Sequence, residues 1–175
     1  VLGRRPANLK FFRRAVESAR AASSCRHGHQ ENTMRFMILV RSVPAFDVET
    51  QPVADDPAHA AMYAAMAAYH EELARAGVLL DAAGLKPQST GWRIRYGEGD
   101  RRTVIDGPFA EAKELIAGYT LIQVRSREEA LEWARRYPNP VGAGQPAEIE
   151  VRQLYEVDDF PPGDTTERFK NIGTL

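Results

Sequence analysis

A strand-length run, Thr103-Val104-Ile105, leads directly into Asp106-Gly107-Pro108-Phe109-Ala110-Glu111-Ala112-Lys113-Glu114, and this join constrains the fold more than any other stretch. Gly107 has no Cβ, and the proline after it biases it toward extended backbone. Pro108 has a fixed φ and no N–H. Asp106 can cap the turn by accepting a backbone N–H, and Phe109 can anchor the loop in apolar surroundings. The chain therefore leaves a sheet strand through a stiff acidic elbow that aims carboxylates at one place.

The text on either side reads as alternating strands and helices. Met34 to Val40 is an apolar run of strand length. Asp56 before Pro57 predicts an N-cap and a first helical residue. That helix runs to about Ala76 and stops at Gly77, with Met62, Met66, Tyr69 and Leu73 as its buried stripe. Val78 to Leu85 reads as a strand. Trp92 to Tyr96 and Arg102 to Ile105 flank Gly97-Glu98-Gly99-Asp100 as a hairpin. Tyr119 to Val124 is the most apolar strand. Ser126-Arg127-Glu128-Glu129 predicts a capping box, opening a helix that carries Ala130, Leu131, Trp133, Ala134 and Tyr137 before Pro138. Ala147 to Tyr155 is the last strand, and the tail from Asp159 is expected to be polar and mobile.

This order predicts an α+β, ferredoxin-like domain: an antiparallel sheet with two helices on one face. The sheet's other face, with Trp92, Tyr119 and β-branched residues, is too apolar to stay wet. A second copy of the chain is the simplest cover.

The nonapeptide from Asp106 to Glu114 resembles the signature of the YCII-related, or DGPF (DGPFAETKE), proteins. Met34-Arg35-Phe36-Met37-Ile38-Leu39, Tyr69-His70-Glu71-Glu72-Leu73, Ala76-Gly77-Val78-Leu79, Leu115 to Val124 and Glu129-Ala130-Leu131-Glu132-Trp133-Ala134 extend the resemblance over about residues 34 to 157. It implies a fold of the dimeric α+β barrel type and a homodimer. It also implies, from relatives thought to use a His–Asp pair, that His70 and Asp106 are the residues to weigh for catalysis. A link to sigma-factor transcription systems is a further implication of the family.

Length and charge narrow the function classes. A chain of 175 residues is expected to form one domain with a sizeable core. Residues 1–33 hold seven Lys or Arg against two Asp or Glu, a net +5, which leaves −6 for the remainder of a chain whose total is −1. An acidic domain is a poor match for nucleic acid. The single cysteine, Cys25, excludes an internal disulfide and a multi-cysteine metal site. No apolar run approaches the roughly 20 residues of a membrane span. A cytoplasmic protein is the expectation, with 1–33 as a basic leader outside the fold, 34–157 as the domain and 158–175 as the tail.

The chemical candidates each have two readings. Asp106 is either a general acid or base in a pocket between elbow and first helix, or a turn cap. His70 is either its proton-transfer partner or a partly exposed helix residue without a role. His59 lies eleven residues earlier, roughly 16 Å along a helix, too far to share a metal ion. Glu111, Lys113 and Glu114 are a solvated face with i,i+3 pairing, or Lys113 neutralises an anionic ligand. Arg93 and Arg95 share one side of their strand and either receive an anion or face solvent. Phe109, Glu111, Lys113 and Arg93 are thus the candidate substrate contacts. Expected chemistry is a cofactor-free lyase, isomerase or hydrolase-like step, with no metal. The alternative is a non-catalytic dimeric regulatory module.

Overall fold

The computed structural model describes residues 33–41, 57–109 and 116–173. Residues 1–32 of the leader, the proposed N-cap Asp56 and the segment with Glu111, Lys113 and Glu114 lie outside the described residues. In chain order the elements are β1 (Met34–Arg41), α1 (Pro57–Ala76), β2 (Leu79–Gly84), β3 (Trp92–Tyr96), β4 (Arg102–Asp106), β5 (Ile116–Val124), α2 (Arg127–Arg135), β6 (Ile149–Gln153) and α3 (Asp164–Ile172). Four strands form an antiparallel sheet in the order β2-β5-β1-β6, and β3 and β4 form a separate two-stranded ribbon.

Register decides which side chains meet the helices. Phe36 pairs with Ile122 and Ile38 with Thr120 across β1 and β5. All four side chains share one face, because residues two apart on a strand point the same way. Tyr69 and Leu73 of α1 and Ala130 of α2 close over that face, with Trp133 and Tyr137 packed at the margin. Ile38, Leu73 and Ile122 are completely buried. Each contributes about 1.5–3 kcal/mol relative to exposure. Of the expected α1 stripe, Tyr69 and Leu73 reach the core while Met62 and Met66 are only half-buried. Leu131 of α2 faces solvent, contrary to the apolar run read for that helix.

The helix ends follow local chemistry. Gly77 adopts φ 72°, the left-handed conformation that ends α1. Ser126 caps α2 by accepting the Glu129 N–H at 3.1 Å. The reciprocal half of the box differs from expectation: Glu129 accepts the N–H of Arg125, one residue earlier. Ser126→Ala is expected to cost about 1 kcal/mol in urea unfolding, the usual worth of an N-cap.

The tail is more ordered in pattern than expected. Asp164 and Glu167 in the first turn and Lys170 in the last complement the dipole of α3. The Thr166 hydroxyl donates to the Pro161 carbonyl at 2.7 Å, joining the helix to the preceding turn. Polarity suggested a loose segment, yet the charges are placed as a short helix requires.

The outer face of the main sheet carries Arg35, Met37, Leu39 and Arg41 from β1, with Tyr119 and Leu121 from β5. Its centre is apolar, and ion pairs Arg41–Glu150 (3.1 Å) and Arg35–Glu156 (2.9 Å) lie at its margins. Apolar composition alone places Trp92 on this face. It belongs instead to the ribbon, where it is 66% exposed.

Candidate functional site

The elbow is built at the end of the ribbon away from the hairpin turn, where β3 begins and β4 finishes. Gln88–Thr90 form a single 3-10 turn just before β3. The Gly107 N–H donates to the Gly91 carbonyl at 2.9 Å, and the Phe109 N–H donates to Gln88 Oε1 at 3.1 Å. A Cβ on Gly107 would penetrate the Gln88 carbonyl oxygen and lie 2.9 Å from its carbon. Only glycine permits this approach. The Gly107–Pro108 peptide bond is cis. Arg93 lays its guanidinium 4.0 Å above the Phe109 ring, a cation–π contact that ties Phe109 to β3.

Asp106 is exposed, and among the described residues its carboxylate has no hydrogen-bond or ion-pair partner. Asp106 pairs with Trp92, whereas Arg93 pairs with Ile105. The pleat therefore sends Asp106 and Arg93 to opposite faces of the ribbon. Phe109 joins Arg93, and Asp106 joins Trp92, Ile94, Tyr96, Arg102 and Val104.

His70 lies elsewhere. It is 8% exposed, against the expectation of a partly exposed helix residue. Its Nε2 sits 2.8 Å from the Thr120 hydroxyl, which is 3.4 Å from the Tyr137 hydroxyl. Tyr69 and Tyr137 contact the imidazole, with ring centroids 5.8 and 6.5 Å away. Burial pushes the His70 pKa below its usual value, favouring the neutral ring. Burial likewise raises the phenol pKa of Tyr137, with the Thr120 hydrogen bond opposing it. Tyr69 is raised by the same desolvation and donates to the Trp133 carbonyl at 2.9 Å. The result is a neutral polar chain threaded through an apolar core.

Thr120 and Tyr137 did not stand out in the sequence. The signal was present: Gly118, Thr120, Ile122 and Val124 share the core-facing parity of β5, and Thr120 alone among them is polar. A hydroxyl there requires a partner, and His70 and Tyr137 supply it. Among the described residues, no three His, Cys, Asp or Glu side chains gather as a metal site.

The family model of the YCII-related domain matches residues 34–155. The chain belongs to the YCII-related family. An uncharacterized protein of Rhizobium meliloti (strain 1021) is 33% identical to it over 96 residues, covering 55% of this chain and 77% of that protein. The YCII-related match takes in every element from β1 to β6, including both His70 and the elbow. No helix among the described residues is long and apolar enough to cross a membrane.

Proposed function

We propose that this YCII-related domain, of the DGPF type, acts as a cytoplasmic homodimeric binding module whose ribbon and Asp106 elbow form the recognition surface. The observation that carries this is the ribbon itself: Trp92, Ile94, Tyr96 and Val104 are all exposed on one face, with an unpaired carboxylate at its end. Exposed apolar patches of this kind mark binding surfaces. The homodimer draws support from the outer face of the main sheet, where Met37, Leu39, Tyr119 and Leu121 form an apolar centre inside a charged margin. Interfaces have that anatomy. Leu121→Arg is the test. A charge placed in the middle of this face gives monomers in sedimentation with an unchanged circular dichroism spectrum. A dimer of undiminished affinity removes the sheet face from the interface.

A second reading is favoured by the locked elbow, which costs a glycine and two specific hydrogen bonds to build. Here each protomer binds a small anionic molecule across the end of the ribbon, with Asp106 as the proton-transfer group on one face, Arg93 and Phe109 on the other, and Lys113 and Glu111 as further contacts. His70, engaged with Thr120 in the core, supports the binding module over a His–Asp relay. Native mass spectrometry of freshly purified protein separates the two readings. A co-purified small molecule lost in Asp106→Asn, with the fold intact, supports the ligand site. Its retention in that variant removes Asp106 from the site, and unfolding of the variant assigns the aspartate to turn capping.

A further inference from the structure

Two-stranded ribbons are marginal in water unless one face is covered. Among the described residues the β3–β4 ribbon pairs with no strand of the main sheet, and its apolar face lies open: Trp92 is 66%, Tyr96 71% and Val104 61% exposed. Its register is informative. Trp92 stands opposite Asp106, Ile94 opposite Val104, and Tyr96 opposite Arg102. The face is therefore an apolar strip with an acid at one end and a base at the other. Arg102 is held on this side, its guanidinium 4.3 Å over the Tyr96 ring.

We infer that the ribbon packs face to face on the ribbon of a second copy, with Arg102 of each copy paired to Asp106 of the other. A twofold axis between the ribbons, running across the strands, stacks β3 over β3 with directions reversed. Trp92 then meets Tyr96, Ile94 meets Ile94, Val104 meets Val104, and the two charged ends meet their opposites. Such isologous contact needs a self-complementary surface, and the register supplies one. The other face-to-face arrangement, with the axis along the strands, sets the Asp106 carboxylate on the Trp92 indole and leaves it without a cation. Burial of an unpaired charge disfavours it.

Area agrees with a real but modest contact. The four apolar side chains present on the order of 500 Å². A symmetric pair then buries about 1,000 Å², the lower bound for a specific interface. The ribbon contact therefore works best alongside a second contact between copies, through raised effective concentration. This inference rests on the proposal that the ribbon is a recognition surface, and it names the partner as another copy of the chain.

Sedimentation of the full chain tests it. Asp106→Arg and Arg102→Asp are each expected to weaken self-association at least about tenfold, since like charges then face each other. The double variant Arg102→Asp/Asp106→Arg restores it to within about threefold. Val104→Lys weakens it irrespective of the charges. All these sites are exposed, so circular dichroism stays unchanged. Wild-type association in both single variants and in Val104→Lys overturns the ribbon pairing. So does failure of the double variant to recover. Leu121→Arg reads the sheet-face dimer separately, so loss of one contact is distinguishable from loss of the other.

Discussion

Gly107→Ala is expected to destabilise the elbow by about 1–3 kcal/mol, the range for a methyl forced into packed surroundings. The neighbours are the Gln88 carbonyl, its carbon at 2.9 Å and the Gly91 carbonyl oxygen at 3.3 Å, all main-chain atoms that cannot swing aside as a side chain does. Relief requires the 3-10 turn to separate from β4. That stretches the Gly107 N–H bond to Gly91 and the Phe109 N–H bond to Gln88. Amide hydrogen exchange checks this directly, because both N–H groups lose protection together while β1 and β5 keep theirs. Gly97→Ala is the matched control. There the nearest atom is Arg101 Nε at 3.3 Å, the mobile part of a side chain, and the expected change is within about 0.5 kcal/mol. Equal protection in Gly107→Ala and wild type would show that the elbow is loosely seated.

How far this architecture could be read from sequence depends on the range of the interactions involved. Elements set by local chemistry were legible. Gly77 ends α1, Ser126 caps α2, and the alternating residues around Gly97 to Asp100 form the ribbon, because neighbouring residues determine each. Long-range relationships were less visible. His70 lies one residue from Tyr69 on α1, so its burial depended on Thr120, fifty positions away, and on Tyr137 beyond the end of α2. Likewise, Trp92 looked like part of the main sheet because its composition suits any strand. Only strand pairing separates the ribbon from the four-stranded sheet.

The elbow shows both effects in one place. Its stiffness was evident from Gly107 and Pro108, but its seat was not. The docking surface is Gln88, nineteen residues before Gly107 and in a turn that carried no special signal. Strand alternation alone marks Arg93 as an anion contact. The same alternation, combined with the register of β4, sets it across the ribbon from Asp106 and beside Phe109. Sequence therefore located the chemistry-bearing residues, while pairing decided which of them share a side.

Stability should decline on the acid side of neutrality through His70, and the sign follows from its depressed pKa. Above the unfolded-state value near 6.5 the ring is neutral whether the chain is folded or not, and its full contribution is present. As pH falls below that value the unfolded chain takes up a proton that the folded core resists. Stability is then lost, with a limiting slope of about 1.4 kcal/mol per pH unit, until pH passes the folded-state pKa. His70→Gln removes the titration and, with it, this part of the slope. Carboxylates titrate lower and remain in both proteins, so the difference between the two urea-unfolding curves at pH 7.5 and pH 5 isolates the imidazole. Thr120→Val tests the same chain at constant charge. It removes the hydroxyl that joins His70 to Tyr137, and each orphaned polar group costs about 1–3 kcal/mol. A wild-type curve that stays parallel to that of His70→Gln down to pH 5 would mean that the ring accepts its proton where it lies. The polar chain would then be open to water rather than sealed beneath α1 and α2.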